Sequence, residues 1–301
     1  MKLLDAIGLS PDLRRQLGPI LQDWRHTVYL WRHTPLALAG GLIVGLFLAV
    51  ALGGTWLLPY NPNAQDLANQ FAHPSGAHIF GTDQFGRDLF SRVIAGAWIE
   101  LEIMGIVSVI SVAMGVAVGL VSGYFGGWID EGAMRITDMF MAFPRLILAM
   151  AFTAAFGPTL TTTIIAISLV DWTTYARLVR AESRRIKEQP YIEAIRCAGA
   201  GQIRIMLLHV LPMCASPVVV QMSLRAGTVI LTAAGLGFLG LGAQPPTPEW
   251  GIMVSEGRSY LVDQWWVSTF SGLAIAVLVL GLNLLGDGVR DIMDPRIRRA
   301  R

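Results

Sequence analysis

The chain has 301 residues, of which 53% are apolar and only 15% charged, with a mean hydropathy of +0.54 and a net charge of +2. A water-soluble domain carries about 25% charged residues, so this chain cannot cover a globular surface in water and reads as an all-α, polytopic membrane protein. Two cysteines, Cys197 and Cys214, exclude a disulfide-stapled scaffold. The near balance of 23 basic and 21 acidic residues gives no basic stripe of the kind nucleic acid requires.

In chain order, residues 1–36 mix Asp5, Asp12 and Asp23 with Lys2, Arg14, Arg15, Arg25 and Arg32 around no long apolar core, and read as a cytoplasmic N-terminal segment. A spanning helix needs roughly 20 mainly apolar residues. The charge-free runs His33–Gln65 and Ile103–Ile129 predict a first transmembrane helix over 37–58 and a second over about 97–123, with an extracytoplasmic loop over 59–96 between them. The run Leu146–Val170 is broken by Gly157-Pro158, where proline removes a backbone donor. It therefore predicts two helices, about 137–156 and 159–177, the second carrying Asp171. After an entry segment, a fifth helix is expected over about 213–241, with Arg225 inside it, and a sixth over about 267–287. Residues 97–290 thus form a core of five helices, followed by a tail over 291–301.

Charge placement sets the orientation. Arg177, Arg180, Arg184, Arg185, Lys187, Arg196 and Arg204 crowd into residues 172–206, and Arg290, Arg296, Arg298, Arg299 and Arg301 into the tail. Six spans put head, tail and this basic segment on one face, which the positive-inside rule makes cytoplasmic. The pairs Gly41/Gly45 and Gly115/Gly119 have the spacing that lets membrane helices approach closely.

The largest cytoplasmic loop, about 178–212, holds Pro190 ahead of Glu193-Ala194-Ile195, then Gly199, Gly201 and Leu211-Pro212. Proline suits a first helical turn, a carboxylate there meets the positive end of the helix dipole, and glycine stops the helix. A short, stiff helix held crosswise at the membrane face is expected. This loop resembles the Glu-Ala-Ala loop of binding-protein-dependent ABC importer permeases, with Ile195 in place of the second alanine. Three stretches, Phe80–Arg92, Leu236–Gly251 and Asn283–Pro295, narrow the resemblance to the C-type permease of the dipeptide/oligopeptide/nickel group.

The resemblance implies a type I ABC importer permease fold in the bacterial inner membrane. It implies a transmembrane subunit that forms half of a translocation pathway for peptides or related small solutes. The implied partners are a homologous B-type permease, two ABC ATPase subunits and an extracytoplasmic substrate-binding protein, with the lipid bilayer around them. Glu193, Ala194, Ile195, Gly199, Leu211 and Pro212 become the expected ATPase-coupling residues.

Neither lysine, Lys2 or Lys187, follows a glycine as a P-loop demands. ATP and Mg are therefore assigned to the partner ATPases, and no cofactor or catalytic residue to this chain. Asp171 and Arg225 are charges at membrane depth, expensive unless paired or lining a cavity; they are candidates for the substrate path or for a structural pair. Asp83, Arg87, Asp88 and Arg92, with Pro245, Pro246 and Trp250, are candidates for an outer gate or binding-protein contact; the plainer reading of Gly81–Arg92 is a self-paired external turn. His73 and His78 are too few for a metal site. Trp250, Trp265 and Trp266 read as interfacial aromatics flanking the last span. The competing function is a secondary transporter driven by an ion gradient, for which Asp171 and Arg225 are the sole titratable pair.

Overall fold

The computed structural model describes residues 35–293; the charged head and most of the arginine tail lie outside the described residues. All extended elements there are helices: α1 (Pro35–Leu57), α2 (Leu89–Phe125), α3 (Gly127–Met141), α4 (Arg145–Phe156), α5 (Leu160–Lys187), α6 (Pro190–Cys197), α7 (Gln202–Ile205), α8 (Leu211–Phe238), α9 (Trp250–Gly257) and α10 (Trp266–Met293). A π segment, Met206–Val210, joins α7 to α8.

Four stretches are long and apolar enough to cross a membrane: α1, α2, the continuous run Gln202–Phe238, and α10. A fifth exists if α3 and α4, bent by 87°, count together. Here the structure corrects the sequence. The single helix expected over 137–156 is two, because Pro144 caps α4 in an extended conformation and cannot continue α3. The remaining expected span falls on α5, whose 28 residues include Asp171 and a run of arginines, so it lacks the apolarity of the others. Its long buried face packs along α2 instead.

Two boundaries also move. The helix expected from about 97 starts at Leu89, where the Asp88 side chain caps it by accepting from the Ser91 amide at 2.8 Å. The break at Gly157 falls where the glycine-proline pair predicts it: Gly157 has φ +92°, and Thr159 and Thr162 form a reciprocal cap that starts α5.

The α2–α5 seam explains part of the glycine content. A Cβ on Gly115, Gly119 or Gly123 would lie 2.4 to 2.6 Å from α5 atoms, so these three positions let the two backbones touch. In α1 the close contact is made by Gly40 against α10, while Gly45 of the expected pair faces open space.

The core divides into three patches. One joins α1, α9, α10 and the start of α2. A second lies between α2, α4, α5 and α8. The third gathers Leu120, Tyr124, Val179 and Ile186 around Ile192, Ile205 and Val210, and so ties α6 to the ends of α2 and α5.

Candidate functional site

The short helix expected between Pro190 and Gly199 is α6 (Pro190–Cys197). Pro190 occupies its first turn after Gln189, and Glu193 lies in that first turn. At its far end the Ala200 amide donates to the Ile195 carbonyl at 3.3 Å and the Gly199 amide to Arg196 at 3.0 Å. These two bonds make a Schellman stop, whose left-handed residue is Gly199 at φ +88°. Ile195 and Ala200 both pack on the third core patch, the apolar contact that accompanies such a stop. The departure from the second alanine therefore has a role: Ile195 helps seat the helix.

One face of α6 is fixed, with Ile192 fully buried. The opposite face exposes Tyr191, Glu193, Ala194, Arg196 and Cys197. Glu188 and Gln189 alone separate α6 from α5, and the Gln189 amide donates to the Ile186 carbonyl at 3.0 Å. Beside α6 a polar cleft of about 430 Å³ is lined by Tyr124, Phe125, Lys187, Glu188, Glu193, Arg196 and Gln202. Lys187 Nζ closes the end of α2 by donating to the Tyr124 carbonyl at 3.0 Å.

Leu211 and Pro212 do not share the exposed face with Glu193. They stand where the π segment becomes α8, and the Leu211 amide bonds back five residues to Met206. Proline lacks the amide that the Leu208 carbonyl would otherwise meet, and the widened coil accommodates it.

Across the seam, Arg184 and Arg180 clasp Asp130 of α3, both at 2.5 Å, and Arg177 reaches Asp138 at 2.5 Å. Basic residues that sequence reasoning used only for orientation thus hold the amphipathic α3 against α5.

Asp171 of α5 and Arg225 of α8 form an ion pair. A third member, Arg145, was not legible in the sequence. Its Nη1 lies 3.5 Å from Asp171, and its Nη2 donates to Thr174 Oγ1 at 2.8 Å. The bend at Pro144 carries this arginine to the pair. Asp171 is buried while Arg145 is 38% exposed, so two guanidiniums meet one carboxylate and a positive charge is left facing outward.

At the opposite end, Asp83, Arg87, Asp88 and Arg92 are all at least 97% buried. Arg87 donates to Asp83 at 2.6 Å and to Glu256 at 3.0 Å, and Arg92 donates to the carbonyls of Pro62 and Pro246 at 3.1 and 3.3 Å. These side chains knit the loop after α1 to the segment around α9. The turn is thus paired within itself through Asp83 and Arg87 and also across to the α9 segment, and of the gate candidates only Pro245 and Pro246 are exposed. Glu256 of α9, the acid that receives Arg87, was missed, because 169 positions separate the two in the chain. His78 pairs with Asp88 at 2.9 Å and His73 lies against the Trp266 ring at 4.4 Å, so the two histidines serve different partners.

Two of the three tryptophans correct the interfacial reading. Trp250 and Trp266 are buried and donate to the Val93 and Thr82 carbonyls at 2.9 and 3.2 Å, leaving Trp265 half-exposed. Beside Trp250, Glu249 caps α9 by accepting from the Gly251 and Ile252 amides at 2.7 and 2.9 Å. A second carboxyl, Glu100 of α2, is likewise fully buried.

Comparison with known proteins places these features. Residues 115–299 match the family of binding-protein-dependent transport system inner membrane components, and residues 23–74 match the N-terminal transmembrane domain of oligopeptide transport permease C. The chain is 41% identical to the probable D,D-dipeptide transport system permease protein DdpC of Escherichia coli K12, covering 89% of this chain and 90% of that one. It is 41% identical to the di/tripeptide transport system permease protein DppC of Pseudomonas aeruginosa UCBPP-PA14, over 94% of each. It is 43% identical to the glutathione transport system permease protein GsiD of Escherichia coli UTI89, over 98% of this chain and 96% of that one.

Proposed function

This chain belongs to the family of inner membrane components of binding-protein-dependent transport systems, and we propose that it forms half of the pathway through which an ATP-driven importer moves short peptides or glutathione-like solutes. It is a permease subunit of an ABC importer, and that membership removes the ion-gradient alternative. The substrate class follows the dipeptide, di/tripeptide and glutathione systems of its relatives.

The observation that carries the coupling role is α6, a rigid helix anchored on one side by Ile192 and presenting Glu193, Ala194 and Cys197 on the other. Two ATPase subunits would hold ATP and Mg and press on that face; this chain does no covalent chemistry. A homologous B-type permease completes the pathway, and an extracytoplasmic binding protein delivers the solute at the α9 end. Six crossings, with α5 among them and both termini cytoplasmic, put α6 on the ATPase side. Asp171, Arg225 and the half-exposed Arg145 are the candidates for lining the path, since a spare cation suits the carboxylate of a peptide. The exposed Pro245-Pro246 rim is the candidate for contact with the binding protein.

The test is uptake by the complete complex in proteoliposomes, with its own binding protein and radiolabelled dipeptide or glutathione. ATP-dependent accumulation and a cross-link from Cys197 to an ATPase subunit are expected. Accumulation by this polypeptide alone without nucleotide would refute the reading.

A further inference from the structure

Two guanidiniums share a single carboxylate oxygen where α4, α5 and α8 meet. Arg225 Nη2 and Arg145 Nη1 both contact Asp171 Oδ1, the second at 3.5 Å. Asp171 Oδ2 is buried with no hydrogen-bond partner among the described residues. Neither arginine therefore makes the two parallel bonds of a fully engaged arginine–carboxylate pair. Arg225 is the more enclosed, its side chain 17% exposed against 38% for Arg145. Thr174 Oγ1 steadies Arg145 from the side at 2.8 Å. A guanidinium carries five N–H donors, so most of those on Arg145 have no acceptor among the described residues.

Helix lengths give the depth of this cluster. Asp171 lies eleven residues after Leu160 at the head of α5, and Arg145 eleven residues before Phe156 at the end of α4. At 1.5 Å per residue both stand about 16 Å from the Gly157-Pro158 turn, roughly half of a 30 Å hydrocarbon layer. Arg225 is the fifteenth of the 28 residues of α8. A surplus cation at that depth is costly unless water or an anion meets it.

The surface of α8 points to a wet passage. Gln221, Arg225, Thr228 and Thr232 follow at spacings of four, three and four, which puts them on one face of the helix. Thr228 is exposed and the other three are half-buried, whereas Ile230 and Ala233 on the opposite side are buried. Polar side chains belong against a cavity rather than against lipid. The arginine cluster thus sits midway along a polar stripe that faces out of this chain's core.

We propose that Arg145 is a carboxylate-binding site of the permease itself, taking the free C-terminal carboxylate of the solute on the unused fork of its guanidinium. Thr174 and Asp171 are positioning residues that hold the fork toward the passage. The inference rests on the reading that this face lines the pathway. The solutes in the names of the relatives, dipeptides, tripeptides and glutathione, all carry a free carboxylate. Selection for the acid over its amide is then made inside the membrane as well as by the binding protein.

The test measures binding to the complete complex of permeases and ATPases in nanodiscs, without the binding protein, so that selection by that protein does not enter. The probes are alanyl-alanine and alanyl-alanine amide, followed by saturation-transfer NMR. The free acid should bind about tenfold or more tightly than the amide. Arg145→Gln should bring the acid down to the level of the amide. Arg145→Lys, which keeps the charge and loses the fork, should fall between the two. A residue that only supported the fold would weaken both probes alike. Equal binding of acid and amide by the wild-type complex overturns the site, and that comparison needs no variant to assemble. A preference for the acid that survives in Arg145→Gln, or no binding of either probe, overturns it equally. Uptake of radiolabelled dipeptide or glutathione with the binding protein present separates the two readings. ATP-dependent uptake without the carboxylate preference removes the site and leaves the pathway standing; absence of uptake by the wild-type complex removes both.

Discussion

Replacing Gly199 separates the conformational role of this residue from its contacts. Its φ of +88° lies where an L-residue with a Cβ is strained by roughly 1–2 kcal/mol. Nothing among the described residues lies within 4 Å of where that Cβ would stand, so clash inside this chain adds nothing. The cost falls on the Schellman stop, and at tenfold per 1.4 kcal/mol it shifts the balance between capped and frayed α6 by about 5- to 30-fold. Asparagine tolerates the left-handed region, alanine less, and a β-branched residue least. Gly199→Asn should therefore retain most uptake, Gly199→Ala should lose part, and Gly199→Val should lose most of it while the complex still assembles. The assay is ATP-dependent uptake together with ATPase rate in proteoliposomes, with thermal midpoints as the control for folding. Equal loss in all three variants would mean that any side chain is rejected by a partner's groove, and full activity in Gly199→Val would remove the stop from the mechanism; either result refutes the backbone argument.

Glu193→Lys reverses a charge on the exposed face of α6, and should abolish cross-linking from Cys197 to the ATPase while leaving the thermal midpoint of this subunit unchanged. Asp171→Ala leaves Arg225 without its partner at membrane depth, and should cost about 3–5 kcal/mol of stability by denaturant titration; Arg145→Ala, at a half-exposed position, should cost less than half of that. Burial pushes the Glu249 carboxyl up to about 7 from an ordinary 4.5. This group thus holds more proton in the folded protein than in the unfolded chain between these values, so its contribution to stability is fully present below about 4.5 and is lost as pH rises through about 7. Glu249→Gln should flatten that part of a stability–pH profile measured by thermal unfolding. Gly119→Val forces a side chain into the α5 backbone, 2.4 Å from the Ala176 carbonyl, and should prevent assembly altogether, as judged by gel filtration.

What the sequence made legible was local. Pro190, Glu193 and Gly199 lie within ten residues of one another, and each acts through its own backbone, so α6 and its limits follow from composition and spacing. The same holds for the Gly157-Pro158 turn. What stayed hidden depends on residues far apart. Arg145 and Asp171 meet only because Pro144 breaks an apolar stretch that otherwise reads as one span. The early start of α2 was masked because Arg92, apparently too polar for a membrane helix, is neutralised by Asp83 and Glu256. Trp250 and Trp266 look like interfacial anchors until the loop that buries them is folded.

The two exits from α6 differ in stiffness. Toward α5 the connection is two residues, hydrogen-bonded at Gln189, and then 28 residues of unbroken helix; displacement there arrives as a straight thrust. Toward α8 the chain passes through a five-residue π segment and a proline, where the regular ladder is already relaxed. Returning that wide coil to regular winding would turn everything beyond it by about 100°. Under the proposed coupling role, a stroke of α6 would reach Asp171 as a translation and Arg225 as a rotation, and the bond between them is where the two motions would have to be reconciled.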